Sequence, residues 1–246
     1  MRILAWNLNH RADVRTIPDW LVPAIEAESP DVLVCTEYVR GPQHVELLAA
    51  FRAMGLRHSD VTAPQAAGTN CVLLAARESL LGGPVRAPDG SPPSLEAGFL
   101  HAILEESGIH VFGFRMPDFE TMPTEKHRTF DWLTKALEPY LPEPTIIIGD
   151  FDSASEDSRR SSGDRLETLM QRGWQLAIPR DGASFDTSGG DPRRIELAFV
   201  SPMLSVSSAE YSWRFREISP DATRRRVGIP DHAMLLLEVQ RPPSAG

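Results

Sequence analysis

The chain has 246 residues, 41% of them hydrophobic, and a formal net charge of −9 at pH 7. This length is ample for one large α/β domain with a buried core. The negative charge argues against a protein that coats nucleic acid by charge alone, although a local basic face beside an acidic site is compatible with it. Only Lys126 and Lys135 are lysines, so single arginines are weak functional signals in this chain.

The sequence predicts a soluble, cytoplasmic protein with no membrane partner and no obligate protein partner. Residues 2–6 are already strand-like, which leaves no room for a signal peptide, and no apolar run is long enough to span a bilayer. Cys35 and Cys71 lie in apolar runs, which favours buried free thiols over a disulfide. Because no linker-like segment divides the chain, we expect a single domain over residues 1–246, with its core at about residues 2–239.

In the first half of the chain, short apolar runs alternate with helical periodicity. The predicted strands are residues 3–6, 32–36 and 70–76, and the predicted helices are residues 18–28 and 43–54. A polar turn is expected before the third strand. The proline- and glycine-rich residues 82–93 predict a loop, which could be disordered or form a flap over a site.

The second half begins with a predicted antiparallel pair of strands and continues with alternating helices and strands. The predicted strands are residues 99–104, 109–114, 146–148, 194–201 and 233–239. The predicted helices are residues 124–141, which carry one apolar stripe, and residues 164–172. Residues 184–190 are predicted to form a loop.

The strand at residues 146–148 leads straight into Gly149, Asp150 and Asp152. Three consecutive isoleucines show no polar alternation, so we expect this strand to be covered on both faces. Residues two apart on an extended segment point the same way, so both carboxylates are predicted to face one pocket. Buried carboxylates require protonation, a basic partner or a metal cation.

Five short motifs occur at predicted strand ends: Trp6-Asn7, residues 30–37, residues 147–152, residues 194–196 and Asp231-His232. In this order they resemble the endonuclease/exonuclease/phosphatase superfamily, the deoxyribonuclease I-like fold, over residues 2–239. The resemblance implies an α/β protein, a four-layer α/β/β/α sandwich of two packed mixed sheets with helices outside. It also implies a site at the end of the sandwich where the strand ends converge.

The resemblance further implies a metal-dependent hydrolase. Glu37 and Asn7 would hold a divalent cation with Asp231 beside it, usually Mg²⁺, for which Mn²⁺ could substitute. Asp150 would orient or deprotonate the attacking water, and His232 would contact the scissile phosphate. Oxygen ligands favour such cations over zinc, and a cation neutralises the charge that makes a phosphodiester resist attack.

Three residues depart from the family pattern. Asp152 stands where the family usually has Asn, so we expect it to be protonated or to bind a further cation. Glu196 replaces the usual Asp that steadies His232, and its added methylene could mis-aim the imidazole. Arg115 occupies the place of a frequent His and could clamp a phosphate. Asn9 and Asp118 are secondary candidates, whereas His101 and His110 are expected to be structural or exposed.

The predicted function is a phosphodiesterase that cuts nucleic acid by metal-assisted attack of water. A phosphatase or phosphodiesterase acting on a small phosphoester is the alternative enzyme, and a binding protein that kept the fold while its site drifted is the alternative of another class. Seven arginines at 193–226 could form a basic rim beside Asp231 or an ordinary solvated loop. Tyr38, Trp213 and Phe215 could stack on bases but form no recognisable binding motif.

Overall fold

The computed structural model describes residues 1–10, 17–63, 68–87, 91, 93–117, 121–154, 162–185, 192–218 and 231–241. Its strands are β1 (Arg2–Asn7), β2 (Val32–Tyr38), β3 (His58–Val61), β4 (Cys71–Ala76), β5 (Leu80–Gly82), β6 (Phe99–Leu104), β7 (Ile109–Arg115), β8 (Thr145–Asp150), β9 (Gln175–Ala177), β10 (Glu196–Val200), β11 (Ser205–Ser212) and β12 (Met234–Gln240). Its helices are α1 (Leu21–Glu28), α2 (His44–Ala53), α3 (Pro93–Ala97), α4 (Pro123–Leu137), α5 (Gly163–Gln171) and α6 (Phe215–Ile218), and a 3₁₀ turn (Glu138–Tyr140) follows α4.

The strands form two mixed sheets of six strands each. The first has the order β11-β12-β1-β2-β4-β3, and the second has the order β5-β6-β7-β8-β10-β9. Parallel pairing joins β1 to β2 in one sheet and β7 to β8 in the other, and the remaining neighbours are antiparallel.

Three apolar layers hold the sheets and helices together, which confirms the predicted four-layer sandwich. Ile146 and Ile148 of β8 belong to the layer between the sheets, together with Val34 and Val72 of the other sheet. Ile147 points the opposite way, into the layer that the stripe of α4 covers. Burial on both faces explains why β8 carries three isoleucines in a row. A third layer lies between α1, α2 and the outer face of the first sheet.

Strand direction brings six strand ends to one end of the sandwich. Because β1 and β2 are parallel, both deliver their carboxyl ends there, and β7 and β8 do the same from the second sheet. Antiparallel β12 and β10 reach the same end with their amino ends. The predicted convergence of strand ends therefore follows from the pairing pattern.

The predictions missed several short or solvent-facing elements. The expected polar turn contains β3, a four-residue edge strand whose central residues are exposed. The polar strand β11 is also an edge strand and only partly buried, so it lacks the apolar run that marks an interior strand. β9 and α6 were missed because they are very short. The predicted loop at 82–93 overlaps the end of β5 and the start of α3, and residues 88–90 and 92 lie outside the described residues.

Other expectations are confirmed by the structure. Cys35 and Cys71 are buried free thiols, and β6 and β7 form the predicted antiparallel pair. The long helix ends at Leu137, earlier than predicted, because the chain tightens into the 3₁₀ turn that contains Pro139. Among the described residues, no helix is both long enough and apolar enough to cross a membrane.

Gly149 allows β7 and β8 to pair closely beside Asp150. Its φ is +149°, and a Cβ atom there would lie 2.0 Å from the backbone oxygen of Phe114. We therefore expect Gly149→Ala to lower the free energy of unfolding in urea by about 1–3 kcal/mol. Gly82→Ala is the matched control, since its Cβ would meet nothing closer than Arg86 at 3.9 Å. Equal stability of the two variants would contradict this account of the β7–β8 contact.

Candidate active site

The convergent end of the sandwich gathers the predicted site residues from both sheets. Asn7 and Glu37 come from β1 and β2, and His232 lies two residues before β12. The second sheet contributes Arg115 and Asp150 as the last residues of β7 and β8. Hydrogen bonds, strand register and close approach link these residues to one another, so the structure brings the predicted residues together.

Asp150 and Glu196 form a directly opposed pair of acids on neighbouring antiparallel strands. Their exposed fractions are only 5% and 1%. Asn7 Nδ2 donates to Asp150 Oδ2 across the two sheets at 3.0 Å. Burial, followed by repulsion from Glu196, raises the pKa of Asp150 to about 7. Two acids facing each other in a buried site therefore make the ionised form of Asp150 costly.

Glu196 also holds His232. Its Oε1 atom pairs with Nδ1 of the imidazole, and the backbone oxygen of His232 accepts a hydrogen bond from Trp6 Nε1 at 3.1 Å. Ser184 Oγ accepts from the backbone N–H of Glu196 at 3.1 Å, which fixes the start of β10. The longer acid at this position therefore does reach the histidine, and the strand start that carries it is held in place.

The imidazole of His232 is surrounded by acids. Burial alone would lower its pKa, but the carboxylate of Glu196 and, more weakly, Asp150 and Asp231 raise the pKa to about 10. His232 Nε2 lies 3.7 Å from Asp231 Oδ1. The histidine is therefore an imidazolium cation at neutral pH, with both ring nitrogens protonated.

Glu37 is turned into the site by a distortion of β2. The pairing of β2 with β4 shifts between Cys35 and Tyr38, and Glu37 has φ +48°. Such irregularities re-aim a side chain out of the strand alternation. Arg115 donates to Glu37 Oε1 from Nε at 3.0 Å and from Nη2 at 2.9 Å, and His10 Nε2 lies 3.4 Å from Glu37 Oε2.

Asp152 reaches the site in a way that the sequence analysis did not predict. The chain leaves the extended conformation after β8, because Asp152 has φ +45° and its N–H donates to Asp150 Oδ1 at 2.9 Å. Lys126 Nζ donates to Asp152 Oδ2 at 2.8 Å and also contacts the Asp152 carbonyl oxygen. The cation that the structure places against Asp152 is therefore the ammonium group of Lys126 from α4.

Lys126 is the site residue that sequence reasoning missed. It lies in the amphipathic helix α4 and is fully buried. A buried lysine is rare unless it is paired. The available signal was that both lysines of the chain fall on the helix that covers β8, but the helical pattern alone does not show which residue either of them meets.

The three predicted metal ligands already have protein partners. Glu37 is paired with Arg115, and the Asn7 amide group donates to Asp150. Asn9 Nδ2 donates to Asp231 Oδ1 at 2.8 Å, while the Asn9 N–H donates to Asn7 Oδ1 at 2.9 Å. Asn9, a secondary candidate from the sequence, therefore links β1 to the Asp231-His232 segment.

A divalent cation fits the donor set of this site. Ligand atoms of Asp150, Glu196 and His232 lie within 4.8 Å of one another. Glu196 Oε2 is buried and has no hydrogen-bond partner among the described residues. Hard oxygen donors of this kind suit Mg²⁺ or Mn²⁺. Because Glu196 Oε1 engages Nδ1 of His232, the carboxylate oxygens rather than this nitrogen are the suitable ligands.

The charges of the described residues support the same conclusion. Five carboxylates and three basic groups meet at this end of the sandwich: Glu37, Asp150, Asp152, Glu196, Asp231, Arg115, Lys126 and His232. When every acid is ionised, two negative charges remain. A single divalent cation would balance them.

His101 and His110 form a separate pair. His101 is buried against Phe112, and its Nε2 lies 3.0 Å from His110 Nδ1. Burial and the neighbouring His110 lower the pKa of His101 to about 3, so it is neutral and structural. Asp118 and the arginines at 224–226 lie outside the described residues.

Comparison with solved structures identifies the fold. Over 98% of its length the chain matches 71% of an endonuclease/exonuclease/phosphatase from Beutenbergia cavernae, with a TM-score of 0.73 and 17% identity. A 3'-5' exonuclease from Neisseria meningitidis matches with a TM-score of 0.71 and 19% identity, over 97% of this chain and 99% of that one. The chain has the endonuclease/exonuclease/phosphatase fold.

A third structure with this fold is a Neisseria 3' phosphatase bound to a product DNA hairpin. It has a TM-score of 0.70 and 18% identity, and the match covers 98% of this chain and 99% of that one. No protein-family model and no curated protein matches the sequence. The structural similarity therefore establishes the endonuclease/exonuclease/phosphatase fold at a level of sequence identity that does not define the substrate.

The Lys126–Asp152 pair predicts a stability difference between the two lysines of α4. Lys126→Met removes the ammonium group that donates to the Asp152 carboxylate, so we expect the free energy of unfolding to fall by about 1–3 kcal/mol. Lys135→Met, an exposed change on the same helix, should stay within about 0.5 kcal/mol of the wild type. Adding Asp152→Asn to Lys126→Met should restore part of the loss. Equal urea midpoints for both lysine variants would contradict the pairing.

The raised pKa of Asp150 predicts a pH dependence of stability in the presence of a chelator. The folded chain holds this proton more tightly than the unfolded chain, so ionisation of Asp150 destabilises the fold as pH rises from about 4 to about 7. Relative to Asp150→Asn, the free energy of unfolding of the wild type should therefore decline over this range and level off above it. Parallel urea curves for the two proteins from pH 5 to pH 8 would be inconsistent with a buried, repelled carboxyl.

Proposed function

We propose that this protein is a divalent-metal-dependent phosphodiesterase that hydrolyses phosphodiester bonds in nucleic acid. The observation that carries the proposal is the buried Asp150–Glu196–His232 cluster at the convergent strand ends. Neighbours in structure include an exonuclease and a 3' phosphatase bound to a DNA hairpin. An exonuclease and a phosphatase both cleave phosphoester bonds, which supports phosphoester chemistry at this site. The substrate of the present chain is inferred from its own residues.

The site suits an anionic substrate only when a cation is present. Asp150 and Glu196 would hold Mg²⁺, or Mn²⁺ in its place, with Glu37, Asn7 and Asp231 around them. When bound, such an ion supplies charge neutralisation for the phosphate and orients its oxygens. Glu196 can serve both purposes, because its Oε1 engages His232 while its Oε2 has no described protein partner.

His232 and Arg115 would bind the phosphate. His232 stays cationic because Glu196 and the neighbouring acids favour its proton. Its Nε2–H can therefore donate to a phosphate oxygen and stabilise the charge that develops as water attacks. Arg115 lies opposite Asp150 in the β7–β8 register, and its planar group can donate to two oxygens.

Asp150 would position the attacking water. Its two oxygens are held by the Asn7 amide group and by the Asp152 N–H, so the carboxylate has a fixed orientation. A carboxylate fixed in this way can accept a hydrogen bond from water and aim its oxygen at phosphorus. Asn7, Asn9 and Lys126 act as positioning residues, since they contact the acids of the site.

The partners of the three unusual residues favour a working site over a drifted one. Asp152 has Lys126, Glu196 reaches His232, and Arg115 reaches Glu37. In a site that had lost its function, we would expect some of these charges to be unpaired or replaced. The binding-protein alternative is therefore less well supported than an enzyme.

Hydrolysis of bis-p-nitrophenyl phosphate, compared with p-nitrophenyl phosphate, tests the proposal. We expect cleavage of the diester in Mn²⁺ or Mg²⁺ and none in chelator. Asp150→Asn should reduce the rate at least about a hundredfold, because it removes the group that positions the water. Asp60→Asn, an exposed aspartate of β3, is the matched control and should behave as the wild type.

Other results of the hydrolysis assay would lead to different conclusions about the function. Preference for the monoester would assign a phosphatase instead. Activity that persists in Asp150→Asn would belong to a contaminant or to another site. Absence of diester cleavage in every metal, together with absence of cleavage of single-stranded DNA and RNA, would overturn the proposal.

A further inference from the structure

A cleft of about 750 Å³ opens beside the acidic site. Its lining includes Phe185, Pro192, Arg194, Trp213 and Arg216. This volume is in the range of sites that hold a small organic ligand. None of the described residues that line it is acidic, in contrast to the site next to it.

The cleft is continuous with the active site through one side chain. The ring of Phe185 lies 4.8 Å from the imidazole of His232, measured between ring centroids. The backbone of Phe185 also bridges to both His232 and Arg193. Phe185 therefore both lines the cleft and contacts the active-site histidine.

The lining combines a flat stacked surface with two cations. The guanidinium of Arg216 lies over the ring of Trp213, with Cζ 3.7 Å from the ring centroid. Trp213 Nε1 donates to the Ala183 carbonyl oxygen at 3.2 Å, which fixes the indole. Arg194 Nε donates to the Gly182 carbonyl oxygen at 2.9 Å, so both side chains are anchored to the same segment.

These features match the chemistry of a nucleotide. Bases stack on aromatic rings and on guanidinium planes, and arginine recognises phosphate through its planar fork. The face of a base is available for such stacking only when the base is unpaired. A neighbouring cleft of about 440 Å³ lacks this character, since Asp181 and Glu210 are part of its lining.

We propose that this cleft binds the nucleotide adjacent to the scissile phosphodiester, in a single-stranded or frayed part of a nucleic acid. The base would stack on the Trp213–Arg216 pair, and the flanking phosphate would contact Arg194. The inference rests on the proposed function, because it assigns the substrate of the same site. It explains how a chain of net charge −9 can hold a polyanion, since the attraction is local.

Binding of a labelled single-stranded octanucleotide, measured by fluorescence anisotropy in Mg²⁺, tests the cleft. The measurements use the full chain with Asp150→Asn, so that the probe is not cleaved, at an Mg²⁺ concentration that saturates this variant. We expect Trp213→Leu and Arg216→Gln to weaken binding at least about fivefold each, the lower end of the effect of losing one stacked base. Trp213→Phe, which keeps a ring, should retain most of the affinity. Arg128→Gln, an exposed arginine of α4, is the control for loss of one positive charge.

Kinetics in the active protein provide a second measurement. The ratio of kcat/KM for the octanucleotide to kcat/KM for bis-p-nitrophenyl phosphate should fall at least about fivefold in Trp213→Leu and Arg216→Gln. A blunt duplex of the same sequence should bind the wild type more weakly than the single strand. Circular dichroism establishes that each variant is folded, and Arg216→Gln is informative even if loss of the indole disturbs the fold.

The two proposals fail in different ways. If folded Arg216→Gln and Trp213→Leu bind the octanucleotide as tightly as their parent, the cleft assignment is overturned, whether or not the diester is hydrolysed. If binding depends on both residues but neither the diester nor nucleic acid is cleaved, the cleft is supported and the hydrolytic function is overturned.

Discussion

The mutual repulsion of Asp150 and Glu196 is the constraint on which this end of the molecule depends. The two acids face each other across the β8–β10 pairing and are almost fully buried. Like charges in that position are destabilising unless cations or hydrogen bonds compensate them. The surrounding structure provides such compensation through His232, which pairs with Glu196, and through the Asn7 amide group, which donates to Asp150.

Compensation comes from elements that are far apart in the sequence. Arg115 and Glu37 join β7 of one sheet to β2 of the other, and Lys126 joins α4 to the turn after β8. Each pair offsets one negative charge near Asp150. The acid of each pair, Glu37 in the first and Asp152 in the second, has a positive φ. Strained backbone of this kind persists only where the surroundings determine it, and it commonly occurs at functional sites. The two pairs therefore hold the backbone of the site in place and also reduce the repulsion between its acids.

Much of the fold and of the site could be predicted from the sequence, because both depend on local patterns. The isoleucines of β8 indicated a strand that is covered on both faces, and the resemblance of the ordered strand-end motifs to a known superfamily implied the sandwich. The edge strands β3 and β11 were missed, since a strand with a solvated face lacks an apolar run.

Tertiary pairing could not be predicted in the same way. The contact of Lys126 with Asp152 depends on how α4 packs across the second sheet, and the sequence spacing contains no information about that register. Trp213 and Phe185 likewise line one cleft although they are far apart in the sequence, and the bond from Trp213 Nε1 to the Ala183 carbonyl oxygen joins their two segments.

Titration of the protein with Mn²⁺ by calorimetry tests the central claim, that the buried carboxylate pair holds a divalent cation. The account predicts one Mn²⁺ per chain at pH 7.5, with affinity reduced at least about tenfold in Asp150→Asn and in Glu196→Gln and unchanged in the exposed variant Asp60→Asn. Absence of Mn²⁺ binding, or binding that survives both substitutions in the pair, would contradict it.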